Sequence, residues 1–389
     1  MSGHGDALAR NFRASVDDPR LAPLLNRTHG GDVDTWARSA GVEASDILDF
    51  SASINPLGPP RSALKAFVKS YREISRYPDP YGEKLKTALA ERHGMSSSEV
   101  LLGNGSTQLI YLACAALRPR HAVIVGPAFS EYTNALLLAG ATVQQFFLDT
   151  EDDFHLSLHK FMAAWDKDCD VVFLPTPNSV TGQLVPRVAI EKIAEAARAR
   201  KCFVVIDEAF VDFVEVASAK SLVRQNPYLI VLRSLTKYYA LPGLRLGYCL
   251  AEASTVARLA AYQEPWSVNA PALNVALACL KDACFAIKTE RWLEKERGFL
   301  SHRLSALAGF SPFPSEANFL LVKTSLNGLN AVQLRSFLIA KGILIRACDS
   351  FAGLGTEYFR IAVKRRRDNL RLLAALRAGI ASSKNGILR

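Results

Sequence analysis

The sequence predicts an α/β protein whose mostly parallel β-sheet is covered by helices on both faces. Short, continuous apolar segments bounded by turn residues alternate with longer segments of helical period. The apolar segments are predicted to be buried strands at residues 122–125, 171–174, 203–206 and 229–232, and one helical segment spans 188–198. Alternation on this scale is typical of parallel sheets. Ligands bind beyond the carboxyl ends of such strands, so we expect the functional residues in the loops there.

A second, smaller α+β unit is predicted after about residue 275. A long helical segment, from residue 276 to about 307, precedes three strand-like segments at 317–322, 343–345 and 358–363. We therefore divide the chain into an N-terminal segment that joins the small domain, a large domain and a small C-terminal domain, at residues 1–48, 49–275 and 276–389. The chain has 389 residues and is 49% hydrophobic, which is enough for cores of that size.

The composition argues against several classes of protein. The formal charge of +10 is spread along the chain, and its one tight cluster, residues 364–367, opens an amphipathic segment. A solvated helix face is therefore favoured there over a nucleic-acid site. Residues 1–28 lack a continuous apolar region, and nowhere do eighteen apolar residues run together, so neither a secretory signal nor a membrane span is expected. The seven cysteines are scattered without C-x-x-C spacing, so no metal site or disulfide framework is expected, and a cytoplasmic protein is favoured.

Three polar side chains follow predicted core strands and are candidates for one site. Asp207 ends a strand, where a carboxylate is costly to bury unless it meets a cation or caps a helix. Lys237 follows the next strand, and desolvation there would lower the pKa of its amine toward the range suited to imine formation. Arg245 lies eight residues further on, in a Pro-Gly-Leu-Arg-Leu-Gly turn. Taken singly, a helix cap, a surface lysine and a surface cation explain these residues equally well.

Together these residues resemble the motifs of the fold-type-I aminotransferase superfamily, whose enzymes use pyridoxal 5′-phosphate. In chain order the matching features are the glycine-rich segment 103–107 before a helical segment, the loop 175–182 that contains Asn178, Asp207, Ser234-x-x-Lys237, Arg245-x-Gly247 and Arg360. Glycine lets backbone amides approach a phosphate at a helix N-terminus. An arginine such as Arg360 suits a planar carboxylate, because its guanidinium donates two parallel hydrogen bonds.

The resemblance implies pyridoxal 5′-phosphate as cofactor and a role for each matching residue. Lys237 would carry the cofactor as a Schiff base and later act as acid or base, and Asp207 would pair with the protonated pyridine nitrogen. Asn178 would donate to the ring 3′-oxygen. Phe129 would stack on the ring, with plain core packing as its alternative. The other cofactor contacts, mainly to the phosphate, are assigned to Gly105, Ser106, Thr107, Ser234, Arg245 and Tyr77.

Two aromatic positions carry further implications. Tyr77, in Arg-Tyr-Pro-Asp, matches a tyrosine that reaches the phosphate from the neighbouring subunit, so the resemblance implies a homodimer with its active site near the interface. Phe210 stands where many relatives carry a tyrosine that hydrogen-bonds the ring oxygen, so that contact is expected to be missing.

The N-terminal half is similar to one branch of the superfamily, the L-threonine-O-3-phosphate decarboxylases of cobalamin biosynthesis. The similarity is carried by the His-Gly-Gly at residues 29–31, by residues 47–58 and by residues 343–348, and it covers nearly all of the chain from His29. It implies decarboxylation of L-threonine O-3-phosphate to (R)-1-amino-2-propanol O-phosphate. The substrate contacts that it implies are His29 and Arg346 for the phosphate and Arg360 for the carboxylate, with Asn55 and Asn178 beside them.

Departures from the pattern leave alternatives open. Ser53 stands where the branch has asparagine, and Ser179-Val180 replaces Asn-Pro, so another anionic amino acid stays open as the substrate. A histidinol-phosphate-type aminotransferase is the alternative enzyme, because both reactions use the same residue types. A non-catalytic effector-binding module joined to a DNA-binding domain is disfavoured, since the first 28 residues are too short for a helix-turn-helix domain. We expect those residues to form a flexible arm.

Overall fold

The computed structural model describes residues 29–326 and 329–384. The strands are β1 (Leu48–Asp49), β2 (Val100–Gly103), β3 (His121–Gly126), β4 (Thr142–Phe147), β5 (Val171–Pro175), β6 (Phe203–Glu208), β7 (Leu229–Ser234), β8 (Gly247–Ala251), β9 (Phe310–Pro312), β10 (Phe319–Thr324), β11 (Ile343–Leu344), β12 (Arg346–Ala347) and β13 (Tyr358–Ala362). The helices are α1 (Val33–Ala40), α2 (Arg61–Ser70), α3 (Glu83–His93), α4 (Gly105–Leu117), α5 (Ser130–Leu138), α6 (Leu158–Ala164), α7 (Arg187–Arg200), α8 (Leu235–Tyr238), α9 (Ala253–Ala260), α10 (Ala270–Leu280), α11 (Ala283–Ser305), α12 (Ala331–Ile339) and α13 (Arg366–Lys384).

The largest sheet confirms the predicted mostly parallel arrangement. Its seven strands have the order β2-β8-β7-β6-β5-β3-β4. β8 runs antiparallel to its neighbours β2 and β7, and the other neighbouring pairs are parallel. The four predicted strands are β3, β5, β6 and β7, and the predicted helix is α7. The sequence patterns did not single out β2, β4 or β8.

The strands of this sheet are apolar along their length because both faces are covered. In β6, Val204 and Ile206 pack into one core cluster, whereas Val205 packs into another. All three side chains are fully buried. Successive side chains of a strand point to opposite faces, so a strand between two layers of helices needs an unbroken apolar run. This alternation also decides which residues at the strand ends face the cavity described below.

A smaller antiparallel sheet, in the order β12-β13-β10-β9, has an apolar cluster of its own in the C-terminal part of the chain. The N-terminal segment contacts this part, because β1 pairs with β11 in parallel and Ala37 of α1 packs with Ile339 and Leu344. The division into segments at residues 48 and 275 stays a prediction, and α10 spans the second of these boundaries.

The prediction of a single long helical segment at residues 276–307 is wrong. α10 ends at Leu280, α11 begins at Ala283, and the two helices are bent by 78° relative to each other. The carboxylate of Asp282 accepts a hydrogen bond from the Phe285 N–H at 3.1 Å. A side-chain oxygen at this position satisfies one of the free N–H groups of a new helix, so Asp282 begins α11 instead of continuing α10.

Within residues 29–326 and 329–384, no single helix has both the length and the apolar character needed to cross a membrane, and α10 with α11 meets those criteria only as a bent pair. All seven cysteines are free thiols. The flexible arm expected at residues 1–28 lies outside the described residues.

Candidate active site

A cavity of about 450 Å³ lies beyond the carboxyl ends of β6 and β7. Most of the candidate residues line it, although they come from segments far apart in the sequence. The lining candidates are His29, Gly105, Ser106, Thr107, Phe129, Asp207, Ser234, Lys237, Arg245, Arg346 and Arg360. The position agrees with the expectation for parallel sheets, whose ligands bind at this edge.

Lys237 lies in α8, the short helix that follows β7, and its side chain is half-buried in the cavity wall. Loss of water around the amine lowers its pKa to about 8, and the positive charges of Arg360 and Arg245 act in the same direction. The negative charge of Asp207 opposes them. A substantial fraction of the amine is therefore neutral, and nucleophilic, near neutral pH.

Asp207 ends β6 and is buried, with only 6% of its surface exposed. Tyr132 Oη donates to its Oδ2 at 2.6 Å, and the Ala209 N–H donates to its Oδ1 at 2.9 Å. Burial raises the pKa of this carboxyl, although both hydrogen bonds act in the opposite direction. Sequence reasoning missed Tyr132. Tyr132 lies three residues after Phe129 at the start of α5, so both side chains lie on the same side of the helix. This spacing was the sequence signal that could have identified Tyr132 as a site residue.

The N-terminus of α4 forms the part of the cavity best suited to a phosphate. Ser106 and Thr107 lie in its first turn, where free backbone N–H groups and the helix dipole attract anions. Gly105 has φ +75°, a backbone conformation that favours glycine, and the Arg245 guanidinium lies close beside it. Ser234 lies nearby at the end of β7, and its hydroxyl is hydrogen-bonded to Thr236 Oγ1 at 2.7 Å.

Two arginines reach the cavity from the smaller sheet. Arg360 of β13 donates from Nη1 to the Ser179 carbonyl and from Nη2 to the Ser51 carbonyl at 3.4 Å. Its Nε is buried without a hydrogen-bond partner among the described residues, and burial lowers its pKa to about 10. Arg346 of β12 donates from Nη2 to Ser350 Oγ at 2.7 Å, and burial lowers its pKa as well. Burial disfavours the positive charge of each guanidinium, so an anionic ligand that compensates this charge is favoured.

His29 lies at the cavity wall beside a carboxylate that the sequence patterns did not single out. Its Nε2 lies 3.1 Å from Glu131 Oε1, and its ring centroid lies 5.5 Å from that of Phe129. Glu131 is 2% exposed and accepts further hydrogen bonds from Tyr111 and Asn134. The imidazole is therefore oriented by a carboxylate that is itself held in place.

Aromatic side chains from two elements line the cavity. Phe129 precedes α5, and its ring packs edge-on against Tyr132 with the centroids 5.9 Å apart. Phe210 follows β6 and packs against Phe319 at 5.1 Å. Phe210 lines the cavity and carries no hydroxyl to donate there, as the sequence indicates.

Three candidates do not line the cavity. The side chain of Asn178 donates to the Pro127 carbonyl and accepts from the N–H groups of Val180 and Thr181, which fixes the loop after β5. Asn55 is 1% exposed, and both of its amide hydrogens are donated within the protein. Tyr77 is 80% exposed and stacks on Trp266 beside a separate cavity of about 260 Å³.

Comparison with known proteins agrees with this geometry. Residues 45–376 match the family described as aminotransferase class I and II. Threonine-phosphate decarboxylase from Salmonella typhimurium is 38% identical over 357 residues, which are 91% of this chain and 97% of that protein. Histidinol-phosphate aminotransferase from Stutzerimonas stutzeri is 32% identical over 367 residues, 92% of this chain and 95% of that one. The crystal structure of L-threonine-O-3-phosphate decarboxylase from Porphyromonas gingivalis matches with a TM-score of 0.76 at 25% identity, over 85% of this chain and 99% of that chain.

Proposed function

Since the chain belongs to the aminotransferase class I and II family, we propose that it decarboxylates L-threonine O-3-phosphate to (R)-1-amino-2-propanol O-phosphate. The reaction would depend on pyridoxal 5′-phosphate and would serve cobalamin biosynthesis. One observation carries the proposal. A single cavity contains the half-buried amine of Lys237 and the N-terminus of α4, which suits a phosphate. The same cavity also contains two further cations, Arg346 and Arg360. A substrate with both a phosphate and a carboxylate needs these additional cationic groups.

The residues present fit pyridoxal 5′-phosphate. Lys237 is an amine with a lowered pKa, as Schiff-base formation requires. Asp207 is a buried carboxyl whose two donors, Tyr132 Oη and the Ala209 N–H, are neutral, and a protonated pyridine nitrogen would supply a cationic partner. The groups that would hold the cofactor phosphate are Gly105, Ser106, Thr107, Ser234 and Arg245. Phe129 would lie against the ring. The contact of Asn178 with the ring oxygen is implied by the resemblance alone, since Asn178 does not line the cavity and its side chain donates to the Pro127 carbonyl.

The substrate anions would be bound by the remaining cations of the cavity. Arg360 would bind the carboxylate with its unpartnered Nε, and Arg346 and His29 would bind the phosphate. When bound, the cofactor supplies an electron sink for the charge left at Cα as the carboxylate departs. Lys237 would then return a proton to Cα, and its lowered pKa suits an amine that exchanges protons near neutral pH.

We propose further that the chain acts as a homodimer. Tyr77 is a candidate phosphate ligand, but it lies outside the cavity and is 80% exposed. A second copy that covered this surface would bury Tyr77 and bring it to the partner's site. A cytoplasmic location is also proposed, on the ground of seven unpaired thiols, since a reducing compartment keeps cysteines free.

The test is to incubate the purified protein with pyridoxal 5′-phosphate and L-threonine O-3-phosphate, without any oxo-acid acceptor, and to measure CO₂ and the amino alcohol phosphate. We expect both products in equal amounts. L-threonine, which lacks the phosphate, is the matched control and should react poorly, because Arg346 and His29 would have no anion to bind. Turnover that requires an oxo-acid, without release of CO₂, would instead identify an aminotransferase of the histidinol-phosphate type.

A further inference from the structure

Asn55 connects the segment after β1 to the helix that carries Lys237. Its backbone N–H donates to the Lys237 carbonyl at 3.1 Å, and its Nδ2 donates to the Tyr238 carbonyl at 2.9 Å. The second Nδ2 hydrogen goes to Thr289 Oγ1 at 3.0 Å, while Oδ1 accepts from the Leu57 N–H at 3.0 Å. The amide group therefore has no hydrogen left for a substrate.

The carbonyls that Asn55 binds are the ones that α8 leaves unsatisfied. α8 has only four residues, Leu235–Tyr238. The last four carbonyls of a helix accept no hydrogen bond from within the helix. In so short a helix these include the carbonyls of Lys237 and Tyr238. Because Asn55 is 1% exposed, no bulk water competes for them, and an unmet carbonyl at this depth would be costly.

We propose that Asn55 is a positioning residue, which fixes the backbone of Lys237 and thereby places the ε-amine in the cavity. This inference rests on the proposed function of Lys237. The backbone of α8 is held from its other side, where the Leu241 N–H donates to the Thr236 carbonyl. The Asn55 backbone N–H supplies the contact to the Lys237 carbonyl, and its side chain supplies the one to the Tyr238 carbonyl. Loss of the side chain would leave the end of the helix with the backbone contact alone, so that the lysine could shift relative to Asp207, Arg245 and Arg360.

The same segment also holds the substrate side of the cavity, which makes its position matter. The Ser51 carbonyl accepts from Arg360 Nη2, and the Ser53 carbonyl accepts from Asn318 Nδ2 at 3.0 Å. The Ser51 and Ser53 carbonyls thus contact Arg360 of β13 and Asn318, which directly precedes β10, and Asn55 contacts α8. One short segment therefore connects the arginine proposed to bind the carboxylate to the lysine.

The experiment compares Asn55→Ala with the control variant Thr289→Val. Thr289→Val removes the bond between Asn55 and α11 but leaves both bonds to α8. The first readout needs no substrate: the pH midpoint of the visible absorbance change of the lysine-bound cofactor. We expect Asn55→Ala to shift this midpoint, because the proton on the lysine-derived nitrogen should respond, as that of the free amine does, to burial and to the charges of Arg360, Arg245 and Asp207. Thr289→Val should leave it unchanged.

The second readout is steady-state turnover of L-threonine O-3-phosphate. We expect Asn55→Ala to lower kcat by about 10- to 100-fold with a smaller change in KM, because a small misplacement of a reacting group is costly. Urea unfolding reports separately whether the variants lose stability. Should Asn55→Ala not fold, Asn55→Asp keeps the volume and the Leu57 contact while losing both donated hydrogens.

Two outcomes would overturn the inference. An unchanged absorbance midpoint in a folded Asn55 variant would do so, and so would equal shifts in Asn55→Ala and Thr289→Val, which would indicate a general packing effect. Failure of the wild-type protein to release CO₂ would refute the proposed substrate instead. The absorbance comparison would still stand, so the two failures are distinguishable.

Discussion

At the scale of single residues, Lys237 shows how surroundings change an ordinary side chain. Partial burial and the charges of Arg360 and Arg245 bring its pKa from the usual 10.5 to about 8. The neutral amine is therefore populated in a pH range where an exposed lysine is almost wholly protonated. Since only the neutral form is nucleophilic, this shift determines the pH range in which the residue reacts.

The pH dependence of Lys237 can be measured on the protein free of cofactor. We expect its rate of acetylation by acetic anhydride to rise with pH with a midpoint near about 8, as the amine loses its proton. Mass spectrometry of a digest follows each lysine separately, and the exposed Lys288 serves as reference in the same sample. Arg360→Met should raise the midpoint, because it removes a positive charge that favours the neutral amine. A wild-type midpoint near 10 would contradict this account.

Site residues can be predicted from the sequence where a distinctive residue type lies at a fixed distance from the end of a strand. Asp207, Lys237 and Arg245 meet that condition, and all three line the cavity. Glu131 and Tyr132 could not be predicted as readily, since their partners His29 and Asp207 lie roughly 100 and 75 residues away and no local pattern connects them. Main-chain contacts such as the Ser51 carbonyl on Arg360 leave no side-chain signature at all.

At the scale of elements, the alternation of side chains along β6 and β7 separates two polar groups. Asp207 and Ser234 face the cavity. Their neighbours Glu208 and Arg233 point to the other face, where Arg233 is fully buried and lies 3.2 Å from Glu208 Oε2. Asp212 Oδ1 lies 2.9 Å from Arg233 Nη2, and Glu215 also pairs with it. One guanidinium thus compensates the charge of three carboxylates on the face of the sheet opposite the cavity.

Replacing Arg233 with methionine should be strongly destabilising. Glu208 and Asp212 would stay buried without their cation, whereas Glu215 is partly exposed and keeps Lys220 as a partner. Breaking a buried pair in this way costs about 3–5 kcal/mol of unfolding free energy. Urea denaturation measures the loss. Lys220→Met is the matched control, because its pair with Glu215 is partly exposed and should contribute less than about 1 kcal/mol. Equal losses in the two variants would contradict the special role of the buried guanidinium.

Helices and strands could be predicted where the sequence of the segment shows one clear hydrophobic pattern. The buried strands β3, β5, β6 and β7 follow from unbroken apolar runs, because each lies between two layers of helices. The break between α10 and α11 was not predicted, since both helices carry a helical period and only the cap at Asp282 separates them. The irregular segment around Ser51 and Asn55 has no periodic pattern, and its shape is set by distant partners.

At the scale of the whole molecule, a broad apolar surface points to a second subunit. Leu64, Phe67, Val68 and Tyr71 recur at the spacing of one helix face, on and just after α2, and each is at least 50% exposed. Tyr77, which follows this segment in the chain, is 80% exposed. Contiguous apolar surface of this kind marks protein–protein contacts. Under the proposed dimer, Tyr77 would act at the partner's cavity.

Complementation between an inactive and a weakened variant tests whether Tyr77 acts across the interface. Lys237→Ala should be inactive, and Tyr77→Ala should be weakened by the loss of a phosphate contact. In a mixed dimer, the site that retains Lys237 would receive Tyr77 from the Lys237→Ala subunit, so that one site becomes complete. Random pairing of equal amounts should therefore restore about a quarter of the wild-type activity. Co-expression with two affinity tags isolates the mixed dimer, which has one complete site of two, so its CO₂ release should reach about half of the wild-type activity.

A further substitution ties this recovery to the apolar surface. Leu64→Glu in both subunits places a charge on the exposed face of α2, and we expect it to prevent recovery and to yield monomers in analytical ultracentrifugation. Val188→Glu is the matched control, since Val188 is 66% exposed but belongs to α7, away from that face. Full activity in Leu64→Glu monomers would show that Tyr77 and the partner subunit are dispensable. Recovery that survives Leu64→Glu but fails in Val188→Glu would place the interface on α7 instead.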